Sequence, residues 1–295
     1  MSTNSHVVKT SFPTQTCVTA LTHDSTSQSE HGQDFLSADA LKMSAQHELA
    51  DFPSDVISSL QFSRDGNWLL VGSWDSCVYL YQRSPDGTHP YKLQDTLTCG
   101  APVLDVCWGR DESEFFTVGL DQCVFHKKLD DKKGLILSTH DAASNKVVFS
   151  KEHGIVLSTS WDGIMHVHDP ESRRLIRVRL AAKPFAIAVS AGRAVVAMAE
   201  RKVAVYDLNA LKQLIEQTGG TSDSESILEV KPWQDRESSL KFMTRAISCM
   251  PDGTGFATSS IEGRVGVEWF DEAAQQKVYA FKCHRQSSST VDEDG

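Results

Sequence analysis

The chain has 295 residues, of which 40% are hydrophobic and 23% charged, a composition typical of globular proteins. Its formal net charge of −10 at pH 7 argues against direct binding to nucleic acid or to an anionic membrane, because both need excess positive charge. No apolar run reaches the roughly 20 residues of a membrane-spanning helix, and the N-terminus lacks the pattern of a secretory signal. These features favour a cytoplasmic or nuclear protein.

Seven cysteines are scattered along the chain, and none stands in a C-x-x-C pair. An odd number at irregular spacings is typical of free thiols in a reducing compartment. We expect most of them to be buried as small apolar groups. They are Cys17, Cys77, Cys99, Cys107, Cys123, Cys249 and Cys283.

The two ends of the chain differ in composition from its centre. Residues 1–45 are rich in Ser, Thr, Gln and His and contain few large apolar side chains, so burial cannot offset the entropy of ordering them. Residues 286–295 are also polar. The sequence therefore predicts a disordered N-terminal extension, a folded domain over residues 46–285 and a disordered tail.

A unit of three short strands begins near residue 56. The stretch VISSLQFSRDGNWLLVGSWDSCVYLYQ contains three apolar or alternating runs, divided by the turn residues Arg-Asp-Gly-Asn and Trp-Asp-Ser. The unit recurs four times, which makes five copies. The copies occupy residues 56–82, 101–129, 145–169, 183–208 and 245–270.

The turn after the second strand sets the spacing of the copies. Aligning it gives spacings of 46, 41, 40 and 60 residues, and the first three are close to the period of WD-repeat propeller blades, roughly 40 to 45 residues. The last is longer because a polar insertion, predicted to be a surface loop, occupies residues 217–226. A short helical turn is predicted at 209–216. The aligned positions are Asp75, Asp121, Asp162, Lys202 and Glu262.

Radial packing of such units covers their open faces and edges, so the sequence predicts an all-β propeller. In such a blade, a histidine at the first turn and an aspartate at the later turn can hydrogen-bond across the unit. His140 and Asp162 have the right separation for this pair. We interpret them as structural residues of the blade.

The common catalytic and nucleotide-binding motifs are absent from the sequence. His166 and His168 would share one face of a strand and could hold a metal ion, but no third or fourth ligand is evident. We therefore predict no catalytic residue, no metal and no cofactor. An enzyme would need a cluster of titratable groups in a pocket that the sequence does not reveal.

One rim of the predicted propeller carries exposed aromatic and basic residues. Trp74 and Trp161 lie in its SWD turns, where an indole ring can stack on a ligand. Arg245, Arg264 and Lys282 converge near the fifth copy and suggest capture of a carboxylate or phosphate. The alternative is that these cations form local salt bridges. The candidate acidic partners are Glu237, Glu262 and Glu268.

The stretches RESSLKFMTR, SSIEGRVGVEWF and YAFKCHR resemble the spindle-assembly-checkpoint WD-repeat adaptors, the third branch of the budding-uninhibited-by-benzimidazoles family. ISSLQFSRDG, SWDSCVYLY and THDAASNKVVFS near the first and third copies are similar as well. The resemblance covers about residues 46–285. It implies a seven-bladed propeller and a non-enzymatic adaptor, monomeric apart from its partners, in the nucleus, at kinetochores in mitosis and in a cytoplasmic pool.

The resemblance also implies partners and residue roles. The partners would be the checkpoint kinase and its kinase-like relative in the mitotic checkpoint complex, gripped through their Gle2-binding-sequence motifs, and the kinetochore scaffold with phosphorylated MELT repeats. Arg264 and Lys282 would contact the phosphothreonine. Trp74 would pack beside the peptide, and Arg245 would pair with a partner glutamate.

Versions of IEGRV and FKCHR also occur in a sister group, the messenger-RNA export WD-repeat factors of the nuclear pore. We favour the checkpoint branch because VEWF and YAFKCHR are closer to it. The sister group would bind pore-protein peptides with no preference for phosphate.

The chain departs from the family in length, since five copies are complete and a sixth only begins at YAFKCHR. The family closes its last blade with an N-terminal strand, here HELAD (47–51). We expect open blade faces and edges, and a truncated, non-functional product of a checkpoint gene is a further alternative.

Overall fold

The computed structural model describes residues 49, 51–84, 90–218 and 226–283. All of them belong to the second of two compact units, Met1–Gln46 and His47–Gly295. The predictions of a disordered extension, a disordered tail and most of the polar insertion fall on residues outside this part. Within the described residues, no helix is both long and apolar enough to span a membrane.

The first three sheets are blades of four antiparallel strands that follow one another in the sequence. Blade 1 contains β1 Ile57–Phe62, β2 Trp68–Ser73, β3 Cys77–Arg83 and β4 Tyr91–Thr98. Blade 2 contains β5 Val103–Trp108, β6 Glu114–Gly119, β7 Cys123–Lys128 and β8 Asp131–Thr139. Blade 3 contains β9 Ser144–Ser150, β10 Ile155–Ser160, β11 Ile164–Asp169 and β12 Arg174–Arg179.

Blades 4 and 5 have the same antiparallel order, with an insertion in blade 4. Blade 4 contains β13 Pro184–Ser190, β14 Arg193–Met198, β15 Lys202–Asp207 and β17 Gln234–Glu237. Between β15 and β17 the chain forms helix α1 Leu208–Thr218 and strand β16 Ile227–Leu228, and β16 joins the sheet of blade 3. Blade 5 contains β18 Thr244–Cys249, β19 Gly255–Ser260, β20 Arg264–Trp269 and β21 Tyr279–Lys282. Short 3-10 turns span Ala199–Arg201 and Glu272–Lys277.

The prediction of an all-β WD-repeat propeller is confirmed, with five blades in the described residues. The predicted start of a sixth unit at YAFKCHR was wrong for residues 279–282, because they pair with β20 as the fourth strand of blade 5. The first strands β1, β5, β9, β13 and β18 contact one another in sequence, which places them innermost. Apolar side chains between neighbouring blades form the core, such as Leu70 with Val106 and Phe115 between blades 1 and 2. Val195 and Phe256 pack in the same way between blades 4 and 5.

The turn between the second and third strands shows that one predicted equivalence was wrong. In blade 4 the position two residues after the second strand is Glu200, and Lys202 already begins β15. The turn contains no glycine, and Glu200 and Arg201 both adopt left-handed φ angles of 60° and 62°. The position of Arg201, three residues after the second strand, has a left-handed φ angle in the other four blades as well. Those residues are Ser76, Gln122, Gly163 and Gly263.

The insertion of blade 4 packs against blade 3. The predicted helical turn is the eleven-residue helix α1, whose first turn is capped by a hydrogen bond from the Ala210 N–H to Asp207 Oδ1, 3.0 Å. Leu208, Leu211 and Ile215 form its buried face. Strand β16 then pairs in parallel with β12, so it covers the outer edge of blade 3.

Blade 5 has a partly exposed apolar face within the described residues. Val265 and Val267 lie opposite Phe281 and Tyr279, and these two aromatic side chains are 46% and 53% exposed. The predicted strand at 47–51 lies mostly outside the described residues, and of its members Leu49 packs on blade 1. The six described cysteines are free, but the prediction that most are buried was wrong: only Cys107 is buried.

Candidate functional site

Antiparallel order places two sets of loops at the same end of every blade. The turns between the second and third strands and the links from one blade to the next form what we call the upper rim. The opposite end, with the turns between the first and second strands, is the lower rim. Trp74, Arg245, Arg264 and Lys282 all lie at the upper rim, and so do His140 and Asp162.

His140 and Asp162 lie in contact at the upper rim of blade 3. The His140 Nδ1–H donates to Asp162 Oδ2 over 3.1 Å, and Nε2 lies 3.0 Å from the hydroxyl of Ser158. Asp162 also accepts the backbone N–H groups of Asp141 and Ile164 at 3.0 and 2.7 Å. Burial alone would raise the pKa of Asp162, but the bond and charge of His140 and the backbone donors lower it. The network ties the inter-blade link to the turn.

Two further histidines extend this network into the interior. The His166 ring stacks on His140 with 3.6 Å between ring centroids, and Ser138 Oγ lies 2.8 Å from His166 Nδ1 and 3.3 Å from His168 Nε2. Burial lowers the pKa of both rings, that of His168 to about 3. The described residues contain no group of three or more His, Cys, Asp or Glu side chains placed to hold a metal ion. These neutral rings are packed and hydrogen-bonded within the blade.

Arg264 and Lys282 stand opposite each other at the end of the β20–β21 pair. Cross-strand partners in such a pair have Cβ atoms about 5 Å apart on one face of the sheet. The Lys282 side chain is exposed, and Arg264 Nε lies 3.4 Å from Glu262 Oε1. Two cations on one face, with one nearby carboxylate, can bind an anion with more than one negative charge.

The hydroxyl of Ser260 adds a polar group beside this pair. Ser260 is the cross-strand partner of Arg264 on β19, and its side chain is buried with no hydrogen-bond partner among the described residues. Thr258 Oγ1 is likewise without a partner. Thr258 corresponds to Ser158, but the position of His140 is occupied in blade 5 by the apolar Leu240. Blade 5 therefore lacks the structural network of blade 3.

The two tryptophans of the SWD turns are each 42% exposed at the upper rim. Lys183 Nζ lies 4.6 Å from the centre of the Trp161 ring, a cation–π contact. Beside Trp74, Asp75 accepts hydrogen bonds from Tyr79 Oη at 2.8 Å and from the Ser54 N–H at 2.9 Å. Burial, followed by the hydrogen bond to Asp75 and its charge, raises the pKa of Tyr79 to about 12. Aromatic surface is thus available for packing beside a peptide.

The local salt-bridge alternative holds for only one of the predicted cations. Glu262 pairs with Arg264, but Glu237 pairs with Arg201 at 2.9 Å, and Glu268 accepts from Ser239. Arg245 is exposed and has no ion-pair partner among the described residues.

Arg201 is a residue that the sequence interpretation missed. Its Nε and Nη2 donate to the carbonyls of Leu240 and Ser238 at 2.9 and 2.7 Å. These bonds fix the link between blades 4 and 5, and Arg245 lies directly after that link in the sequence. Arg201 lies in a left-handed turn, and such turns are normally recognised in a sequence by a glycine. This turn has no glycine, so nothing in the sequence pointed to Arg201.

Comparison with known proteins supports the WD-repeat fold and identifies a smaller family of related WD-repeat proteins. The WD domain, G-beta repeat family matches residues 46–82. Mitotic checkpoint protein BUB3.1 of Arabidopsis thaliana is 39% identical over 257 residues, which is 84% of this chain and 68% of the relative. Mitotic checkpoint protein bub3 of Dictyostelium discoideum is 32% identical, with 84% and 70% covered. Protein Rae1 of Drosophila melanogaster is 30% identical, with 84% and 68% covered.

The similarity extends over most of the described blades and is highest to a mitotic checkpoint protein among these three relatives. Proteins of this group are WD-repeat scaffolds without enzymatic activity. The chain belongs to the family of WD-repeat proteins that includes mitotic checkpoint protein BUB3.1 and its sister Rae1.

Proposed function

We propose that this chain is an adaptor of the mitotic spindle checkpoint that binds phosphorylated peptides at its upper rim. The observation that carries the proposal is the opposition of Arg264 and Lys282 across β20–β21. A phosphothreonine at pH 7 has a charge near −2 and three acceptor oxygens, and the guanidinium and ammonium groups are its natural donors.

The partners of this adaptor would be the checkpoint kinase and the kinase-like subunit of the mitotic checkpoint complex. Both would be bound through their Gle2-binding-sequence motifs and brought to kinetochores that display phosphorylated MELT repeats. Arg245, exposed at the start of blade 5, would pair with a glutamate of the motif, and Trp74 would pack beside the phosphopeptide. The names of the relatives in Arabidopsis and Dictyostelium support a checkpoint role at kinetochores in the nucleus.

Messenger-RNA export is the second candidate function, favoured by the relatives named Protein Rae1 and mRNA export factor rae-1, each 30% identical to the chain. This function would use the same rim for a glutamate-containing peptide but would need no phosphate. The two candidates therefore differ in one measurable property, which is the preference for a phosphorylated ligand.

Fluorescence anisotropy with labelled MELT peptides tests the proposal. We expect the phosphothreonine peptide to bind and its unphosphorylated form to bind much more weakly. Arg264→Ala and Lys282→Ala should each weaken phosphopeptide binding about tenfold or more, since each removes a charge-assisted hydrogen bond. Arg64→Ala, which removes an exposed arginine from the lower rim of blade 1, is the matched control and should leave binding unchanged.

A peptide with the Gle2-binding-sequence motif provides the second arm. Arg245→Ala should weaken its binding but leave the phosphopeptide affinity unchanged. Motif binding without any preference between the two MELT peptides would support the export function instead. Equal loss of phosphopeptide binding in Arg64→Ala and Arg264→Ala would rule out the proposed site.

A further inference from the structure

The lower rim contains a cleft that lies at the end of the molecule away from Arg264 and Lys282. It has a volume of about 830 Å³ and lies between β17 of blade 4 and the Phe270–Ala274 segment of blade 5. Trp233, Trp269 and Phe270 line it together with Gln234, Asp271 and Glu272. Trp233 is 48% exposed, and its ring meets Phe270 edge to face with centroids 6.1 Å apart.

The cleft is acidic. None of the described residues that line it is a lysine or arginine, and Asp271 and Glu272 are both exposed at its edge. The adjoining surface adds the carboxylates of Asp235 and Glu237. Arg236 also lies there, but its guanidinium donates to the carbonyls of Trp269 and Phe270 at 2.6 and 2.9 Å. Aromatic and negatively charged side chains therefore dominate the lining, beside neutral residues such as Gln234 and Thr254.

One face of the Trp233 ring already binds a cation of the protein itself. Arg193 Cζ lies 4.1 Å from the centre of the Trp233 ring, and its guanidinium pairs with Asp207. The charge of Arg193 is offset by Asp207, which limits its repulsion of a second cation at the ring. A second cation can be held between the other face of the ring and the carboxylates of Asp271 and Glu272.

The side chain of Gln234 is a fixed part of the cleft wall. Its Nε2 donates to the Phe270 carbonyl at 2.8 Å, and its Oε1 is buried away from the cleft opening. The acceptors open to a ligand are the exposed carboxylates of Asp271 and Glu272. Lysine and arginine side chains offer only donors, so they match these acceptors.

We propose that this lower-rim cleft binds a basic side chain of a partner peptide, between Trp233 and the carboxylates of Asp271 and Glu272. The charge of the cleft selects a cationic donor, and the aromatic wall holds its aliphatic stem. The site is separate from the phosphopeptide surface, so one chain could hold an anionic peptide at the upper rim and a basic one at the lower rim.

NMR titration of the indole N–H resonances tests this site. The Trp233 resonance is assigned by its loss in Trp233→Phe, and the probes are the capped pentapeptides Gly-Gly-Arg-Gly-Gly and Gly-Gly-Gln-Gly-Gly. We expect a saturable shift of the Trp233 resonance with the arginine peptide alone, and weaker binding as salt is raised. A double variant Asp271→Asn/Glu272→Gln should weaken binding roughly tenfold, since it removes two charges.

The control is a second double variant with the same loss of charge at the lower rim of blades 2 and 3. Asp111→Asn/Glu152→Gln alters turns far along the chain from the cleft, and Asp111 caps its turn as Asp271 does. It should leave the titration unchanged. The proposal is overturned if both peptides shift the resonance equally, if neither shifts it, or if the two double variants weaken binding to the same extent.

Discussion

The imidazole rings of His140 and His166 stack with centroids 3.6 Å apart and planes 12° from parallel. The stack joins the Asp162 hydrogen bond at the upper rim to the buried Ser138 and His168. Because all of these groups are neutral or paired, blade 3 encloses polar atoms at little cost in free energy. The same geometry makes the blade sensitive to the loss of one partner and to acid.

Asp162→Ala should destabilise the chain far more than Asp121→Ala. Asp162 accepts hydrogen bonds from His140, Asp141 and Ile164, whereas Asp121 accepts one from Cys123, and burial raises the pKa of Asp121. We expect a loss of about 2–4 kcal/mol in the free energy of unfolding for Asp162→Ala and less than about 1 kcal/mol for Asp121→Ala. Urea unfolding at pH 7.5 measures both. Equal losses would show that the His140 network adds no stability.

The stability of the chain should fall as pH drops below about 6.5. His166 and His168 have pKa values lowered by burial, so the unfolded chain binds protons at a pH where the folded chain does not. Each ring contributes a slope of about 1.4 kcal/mol per pH unit, from pH 6.5 down to the folded pKa, which is about 3 for His168.

Urea midpoints between pH 7.5 and 4.5 check this slope. His168→Leu should flatten it, because the variant lacks one of the two rings that the unfolded chain protonates. A profile that is identical in the wild type and His168→Leu would contradict the prediction.

Glu262→Gln should strengthen phosphopeptide binding. Glu262 Oε1 lies 3.4 Å from Arg264 Nε, so its carboxylate competes with the phosphate for the guanidinium. Removing that charge should tighten binding about two- to fivefold, the range of a partly exposed ion pair. Glu200→Gln, at the equivalent turn of blade 4 and paired with Lys202, is the control. Weaker binding in Glu262→Gln would mean that Glu262 positions Arg264 for the ligand.

Gly119→Ala should destabilise blade 2, whereas Gly100→Ala should be close to neutral. A Cβ on Gly119 would lie 2.4 Å from the Pro102 carbonyl oxygen, and both backbones would have to shift. A Cβ on Gly100 would meet Asp121 Oδ2 at 3.8 Å, an ordinary contact. We expect a loss of about 1–3 kcal/mol for Gly119→Ala, measured by urea unfolding. A change below about 0.5 kcal/mol would show that the backbone beside the β5–β6 pair moves apart easily at this point.

The sequence by itself determined the strand units, their repeat and the pairing of His140 with Asp162, because each depends on alternation and spacing within one blade. The same local rules place Arg264 and Lys282 at one end of adjacent strands. They failed at the turn of Glu200 and Arg201, where two left-handed residues without glycine carry no visible turn signal. As a result, the predicted alignment of the turns placed Lys202 where the structure has Glu200, two residues earlier.

Only the tertiary structure decided which side chains from different blades meet. Arg201 reaches carbonyls 37 and 39 residues away, and Trp233 meets Phe270 from the neighbouring blade. The orphaned oxygens of Gln234, Thr258 and Ser260 also depend on what the adjacent element offers. These contacts follow from the radial stacking of blades, whose distances and angles are set by packing of the whole core, and no local pattern in the sequence encodes them.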